Sequence, residues 1–398
     1  MRDDLKAAVR SLRASKSFSI AALILLTLAI GASTALFSVV DAVVLRGLPF
    51  DEHDRVMAVG DRQLPKFRVP GDTRDPDALS ATAPQNYLDW ADQQRVFDSM
   101  AAIASGWLTL HQPGAEPESL VPQYITANFF DVLRVRPAVG RAFTKDNETE
   151  GRHRVVVLSD PLWRRAFGSD PHIVGRTVTL DDVEGTQGTY EVLGVMPPGF
   201  AYPVGSPRPT EVWVPYVVPP EHRVRLAARS NYLQVIARLK DGISLEQAQA
   251  QMDQIAAALE KAHPQWNKDN GIGVRPLVDH IVGARTESWM MMLLGAVGIV
   301  LLIACANVAN LFLARATSRE REIGIRAALG ASRLRLARQM LIESLVLSAA
   351  ATACAVVLAW WAVGILKAAM PASVPRVTTI ALDLRVLAAA AGLSLVTG

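Results

Sequence analysis

A chain of 398 residues, half of them hydrophobic, with a formal net charge of +3, is long enough for a sizeable core, which excludes a small stapled scaffold. Only two cysteines occur, Cys305 and Cys354, both in apolar runs, so disulfides are excluded from the rest of the chain. The small net charge hides a partition. Residues 1–46 carry six Lys/Arg against three Asp/Glu, residues 47–288 carry 25 against 31, and residues 289–398 carry ten against four.

The N-terminal residues 1–17 place Leu5, Ala8, Val9 and Leu12 at helical spacing, with Lys6, Arg10 and Arg13 on the other side. This suits an amphipathic helix on a membrane face and equally a basic flank to an adjoining span. Ser19–Val40 then gives 22 residues without a formal charge. About 20 apolar residues match a hydrocarbon core of roughly 30 Å, so 18–46 reads as a first transmembrane helix, retained because no small-residue cleavage site follows. Gly31 and Ala35, four apart and surrounded by Ser33, Thr34 and Ser38, let another helix approach closely. Asp41 and Arg46 close this span.

Residues 47–288 have soluble character. Residues 60–84, rich in Pro, Asp, Gly and Arg, read as loop. Val155–Leu158 is a continuous apolar run of the kind found in buried strands. Ser159-Asp-Pro161 then offers an N-cap with proline in the first turn, opening a helix through Phe167. Arg176–Leu180 and Tyr190–Val195 read as strands around a glycine-containing turn. Tyr232–Leu239 alternates, with Leu233, Val235, Ala237 and Leu239 on one face. Ser244-Leu-Glu-Gln247 is a capping box, and Leu245, Ala248, Met252, Ile255 and Leu259 mark one stripe of the helix it opens. This interleaving predicts a large α/β (α+β) domain in two lobes.

Trp289–Ala314 and Ser344–Leu366 add charge-free runs of 26 and 23 residues. They predict transmembrane helices at 289–314 and 341–370. In the first of these, Asn307 and Asn310 lie three apart, and an amide in hydrocarbon is expected to turn toward the helical bundle. Between the two runs, residues 315–340 hold seven arginines from Arg315 to Arg338. The positive-inside rule puts 1–17 and 315–340 in the cytoplasm, and 47–288 and 371–383 outside. Gly330 suits the left-handed end of a charged helix, and Ser332 the cap of the next. Residues 384–398 begin a fourth span, expected to be cut off partway. The fold class is thus a membrane α-helical bundle of three complete spans plus a truncated fourth, carrying the two-lobed extracytoplasmic domain.

No Walker-type G-x-x-x-x-G-K-[ST], G-x-S-x-G or H-E-x-x-H motif occurs, and the seven histidines lack metal-ligand spacing. No catalytic residue, metal or cofactor is assigned. Beside membrane spans the arginines suit lipid contact better than nucleic acid.

Several stretches carry a resemblance. Ala306-Asn-Val-Ala-Asn-Leu-Phe-Leu-Ala-Arg-Ala316 with Arg319-Glu-Arg-Glu-Ile-Gly-Ile-Arg-Ala-Ala-Leu-Gly-Ala331 resembles the FtsX-like permease domain of MacB-type ABC transporters, here 289–398. Ile125-Thr-Ala-Asn-Phe-Phe-Asp-Val-Leu133, Gly140-Arg-Ala-Phe143, Val155-Val-Val-Leu-Ser159, Leu162-Trp-Arg-Arg-Ala-Phe167 and Gly194-Val-Met-Pro197 resemble the MacB-type periplasmic core domain. Ala35-Leu-Phe-Ser-Val-Val-Asp-Ala-Val-Val-Leu-Arg46 is similar to the duplicated orphan permeases of acidobacteria. The resemblance implies a non-catalytic permease of the bacterial inner membrane, with ATP bound by a separate cytoplasmic ABC-type ATPase. It implies Arg319, Glu320, Glu322, Gly324, Arg326 and Gly330 as the ATPase-coupling element. Further implied partners are membrane lipid, a second permease repeat or a homodimer, and a periplasmic adaptor. Export or extrusion of a substrate is the implied activity, with FtsX-like signalling to a periplasmic partner as the alternative.

Overall fold

The computed structural model describes residues 10, 12, 16–63, 78–181, 186–223, 231–318, 333–369 and 380–397. Its helices in chain order are α1 (Lys16–Val40), α2 (Pro84–Gln93), α3 (Phe129–Leu133), α4 (Asp160–Phe167), α5 (Leu245–Ala262), α6 (Pro264–Asn267), α7 (Leu277–Val282), α8 (Ala284–Ser318), α9 (Arg333–Ala369) and α10 (Leu384–Thr397). Its strands are β1 (Val56–Gln63), β2 (Phe97–Ser105), β3 (Leu108–His111), β4 (Glu118–Leu120), β5 (Pro122–Ile125), β6 (Val139–Gly140), β7 (Val155–Leu158), β8 (Thr177–Asp181), β9 (Gln187–Val195), β10 (Val212–Pro215), β11 (Gln234–Leu239) and β12 (Asn270–Pro276). They form two compact units, a helical one of residues 1–46 with 286–398 and an outer one of residues 47–285.

The outer unit is built on one twelve-stranded mixed sheet, ordered β12-β1-β11-β2-β5-β10-β7-β9-β8-β3-β4, with β6 on β9. Because side chains alternate across a strand, each strand can serve two cores at once. In β1, Val56 and Ala58 enter one cluster while Met57 and Val59 enter another. In β7, Val155 and Val157 face the first cluster and Val156 and Leu158 face a third. This is why 155–158 is apolar without a break.

One face thus carries a shared core of Phe129, Phe130, Trp213, Tyr202 and Leu193. On the opposite face α5 and α2 cover β1, β2, β11 and β12, and α4 covers β7 and β10. The two expected lobes therefore share one continuous sheet. β2 and β5 pair antiparallel, as do β3 and β4, and Val121 alone separates β4 from β5. Residues 97–125 thus form one long bent hairpin. The terminal strand β4 is held one residue from β5, so the path from β5 round to β4 curls back on itself around the third cluster.

Local signals act as read. The Ser159 hydroxyl accepts from the Leu162 N–H at 3.2 Å, and Gly168 ends α4 in a left-handed conformation. Ser244 and Gln247 make a reciprocal capping box at 3.3 and 2.9 Å. Leu233, Val235, Ala237 and Leu239 pack with Ala248, Met252, Ile255 and Leu259 of α5. The loop expected at 60–84 needs correction at its start, and its residues 64–77 lie outside the described residues. β1 runs through Gln63, paired residue by residue with β12, and α2 starts at Pro84. Asp61, Arg62 and Gln63 are polar, so side-chain pattern hides a strand held there by its ladder.

In the helical unit, α1, α8 and α9 are long and apolar enough to cross a membrane. The helices α8 and α9 outrun the apolar segments, since a charged turn continues a helix that has left hydrocarbon. The segment 1–17 lies almost wholly outside the described residues.

Candidate coupling elements and outer clefts

The membrane helices α1 and α9 pack through small residues. On α9, Leu347, Ala351, Ala355, Ala359 and Val363 recur every four residues and are buried. Ala22, Leu26, Ile30 and Ala35 of α1 are also buried. Gly31 sits at the tightest point. A Cβ there would meet Leu358 Cδ2 at 3.0 Å and the Ala355 carbonyl oxygen at 3.3 Å. Thr27 Oγ1 donates to the Ala351 carbonyl at 3.4 Å, and Thr34 and Ser38 donate back to Ile30 and Thr34. Ala351-xxx-Ala355-xxx-Ala359 was a signal in the sequence as plain as that around Gly31.

Asn307 and Asn310 lie on α8. Both are exposed within this unit, and the buried stripe of α8 runs instead through Ala304 and Val308. Four-residue spacing puts that pair on one face; Asn307, three residues after Ala304, borders it, and Asn310 lies roughly 120° from Ala304 around the helix.

At the far end of α1, five residues adopt a π-helical turn, Asp41–Leu45, closed by the Arg46 N–H donating to the Asp41 carbonyl at 2.7 Å. The Arg46 guanidinium binds the buried Asp41 carboxylate at 2.7 Å and also the Asp383 carboxylate. Asp383 Oδ1 in turn accepts from the N–H groups of Arg385 and Val386 at the start of α10. The Val386 N–H, followed by Arg46 and then the Arg385 N–H, holds the Asp383 carboxyl below its usual range.

On the other side, α8 continues beyond its charge-free run, which ends at Ala314, to Ser318, and α9 begins at Arg333 ahead of its apolar segment at Leu341. The extensions are roughly one and two turns of helix. Arg319, Glu320, Glu322, Gly324, Arg326 and Gly330 lie outside the described residues, between these two stalks.

Among the described residues the outer unit carries open clefts, two of them larger than 500 Å³. One, of about 550 Å³, lies where α5 meets β12 and is lined by Arg62, Gln249, Asp253 and Arg275. Arg62 binds Asp253 at 2.7 Å, and Gln249 ties α5 to β12 through Ile272 O and Val274 N. The other, of about 580 Å³, opens beside β4 between Ser119, Phe200 and Thr210. Arg165 spans it, donating to Glu118 at 2.6 Å and Glu211 at 2.7 Å. Both clefts join residues far apart in sequence, so no local signal announced them. Among the described residues no cluster of metal-ligating side chains occurs.

Residues 19–255 match the MacB-like periplasmic core domain, and residues 294–398 match the FtsX-like permease C-terminal domain. The chain belongs to the MacB/FtsX-like family of ABC transporter permeases. The macrolide export ATP-binding/permease protein MacB of Burkholderia thailandensis is 27% identical over 277 residues, 69% of this chain and 39% of that protein. Its namesake from Escherichia coli K12 is 26% identical over 223 residues, 55% of this chain and 32% of that protein. The chain thus spans about a third of the length of these relatives. Among solved structures, the periplasmic region of MacB from Actinobacillus actinomycetemcomitans is 17% identical, covers 57% of this chain and 90% of that chain, and has a TM-score of 0.36. As a family member with membrane-length apolar helices, this is a membrane protein with an extracytoplasmic domain.

Proposed function

We propose that this chain is a permease of the bacterial inner membrane that converts ATP hydrolysis by a cytoplasmic ABC-type ATPase into movement of its outer domain, driving export of a substrate. Residues 1–17 and 315–340 face the cytoplasm and residues 47–288 the periplasm. The observation that carries the reading is the pair of helical stalks, α8 to Ser318 and α9 from Arg333, leaving the apolar segments on the arginine-rich side. A rigid helix transmits a displacement along its axis, whereas a loop absorbs it. Arg319, Glu320, Glu322, Gly324, Arg326 and Gly330, which lie outside the described residues, are the proposed contact with the ATPase, and their side chains carry both charge signs. The names of the relatives, which combine ATP binding with a permease and macrolide export, support the reaction class.

The test is ATP hydrolysis by the full-length gene product reconstituted in lipid with its ATPase. Arg326→Ala and Glu322→Gln are expected to lower permease-stimulated hydrolysis at least fivefold while leaving the ATPase alone unaffected. Stimulation that survives both substitutions contradicts the assignment.

A further inference from the structure

The Asp41–Arg46–Asp383 triad joins the exit of α1 to the entry of α10 by two unequal arms. Asp41 is 3% exposed, and its only ion-pair partner among the described residues is Arg46. Breaking that arm strands a buried carboxylate, so it stays closed. The other arm is different. The side chain of Asp383 is 35% exposed and that of Arg46 is 30% exposed, so water can replace each for the other. Asp383 is also fixed to its own helix, because Oδ1 is committed to the N–H groups of Arg385 and Val386 while Oδ2 alone reaches Arg46. When α10 shifts, the Arg46–Asp383 contact is therefore the bond that yields.

The backbone at this point can follow. Asp41–Leu45 is a π-turn, which holds one residue more than an α-turn and is a recurrent feature of functional sites. Relaxing it to α-helix turns the next residue about 100° around the axis and carries Arg46 away from Asp383. Gly47, the first residue of the outer unit, follows directly.

We propose that Arg46 is a releasable clasp: its contact with Asp383 holds the π-turn of α1 in one state, and its release lets movement of the membrane helices turn the stem of the outer domain. The clasp rests on the ATP-coupled function proposed for this chain.

Asp383→Asn tests it, because asparagine caps a helix as well as aspartate does, so the substitution severs the ion pair and keeps the cap. With the full-length product and its ATPase in lipid, the clasp predicts basal ATP hydrolysis raised at least twofold, with a melting temperature within a degree of wild type. Unchanged hydrolysis overturns the clasp. Altered hydrolysis with a melting temperature lowered by several degrees assigns Asp383 a structural role and overturns it equally. If the wild-type permease never stimulates the ATPase, the coupling reading falls, and the clasp with it.

Discussion

Arg238 is 2% exposed, next to the end of β11, yet its three guanidinium nitrogens donate to the carbonyls of Val132, Glu52 and Asp51 at 2.7, 3.2 and 3.0 Å. It pins the segment entering β1 and the end of α3 to the sheet. Burial pushes its pKa down, with Arg134 and Arg55 adding to the effect. Arg238→Met retains the aliphatic volume but takes the guanidinium donors from Val132 and Asp51, while the Glu52 carbonyl keeps the Arg55 N–H, and is expected to destabilise by about 2–4 kcal/mol. Chemical unfolding of the full chain checks it. Asp61 presents the opposite case, a buried carboxylate whose partners are the neutral donors Thr82 and Asn231, both at 3.1 Å. Burial pushes its carboxyl from 3.8 up to about 7, against the lowering effect of Thr82. The folded state therefore binds the extra proton between about pH 4 and pH 7, and stability falls as pH rises through that window. Above it the penalty is complete. Asp61→Asn is expected to be near neutral at pH 4 and to stabilise by up to about 4 kcal/mol at pH 8, flattening the profile. Melting curves at the two pH values decide, and equal shifts at both would contradict the assignment.

At the scale of elements, what was legible depended on the range of the force. The capping box at Ser244, the cap at Ser159 and the apolar run at 155–158 are local, and each acts as the sequence predicts. β1 past Gly60 escaped notice because its polar residues are held by the backbone ladder to β12 rather than by a side-chain pattern. Helix pairing was half legible. Gly31 announced a close approach, but Ala355 and Leu358, which it meets on α9, lie some 320 residues away, and sequence spacing names no partner. Asn307 and Asn310 are exposed in this unit, because polarity alone does not name the partner that an amide faces. Overpacking a tight helix contact costs about 1–3 kcal/mol. Gly31→Leu is therefore expected to lower the thermal stability of the detergent-solubilised chain, whereas Gly364→Leu, where a side chain meets open space, leaves it unchanged. Equal effects at both positions would show that the α1–α9 contact is not tight.

For the whole molecule, charge partition and apolar run length made the membrane architecture readable. The clefts, the shared sheet and the Arg46 triad needed the fold, because each gathers residues from distant segments. The central claim of the proposed function is that the outer domain and the arginine-rich segment stand on opposite sides of the membrane. Impermeant maleimide labelling of spheroplasts tests it, with single cysteines introduced at Trp107, which is 71% exposed, and at Arg326, in a background lacking Cys305 and Cys354. The account predicts that Trp107→Cys is labelled in intact spheroplasts and Arg326→Cys only after permeabilisation. Labelling of both without permeabilisation, or of Arg326→Cys alone, would contradict it.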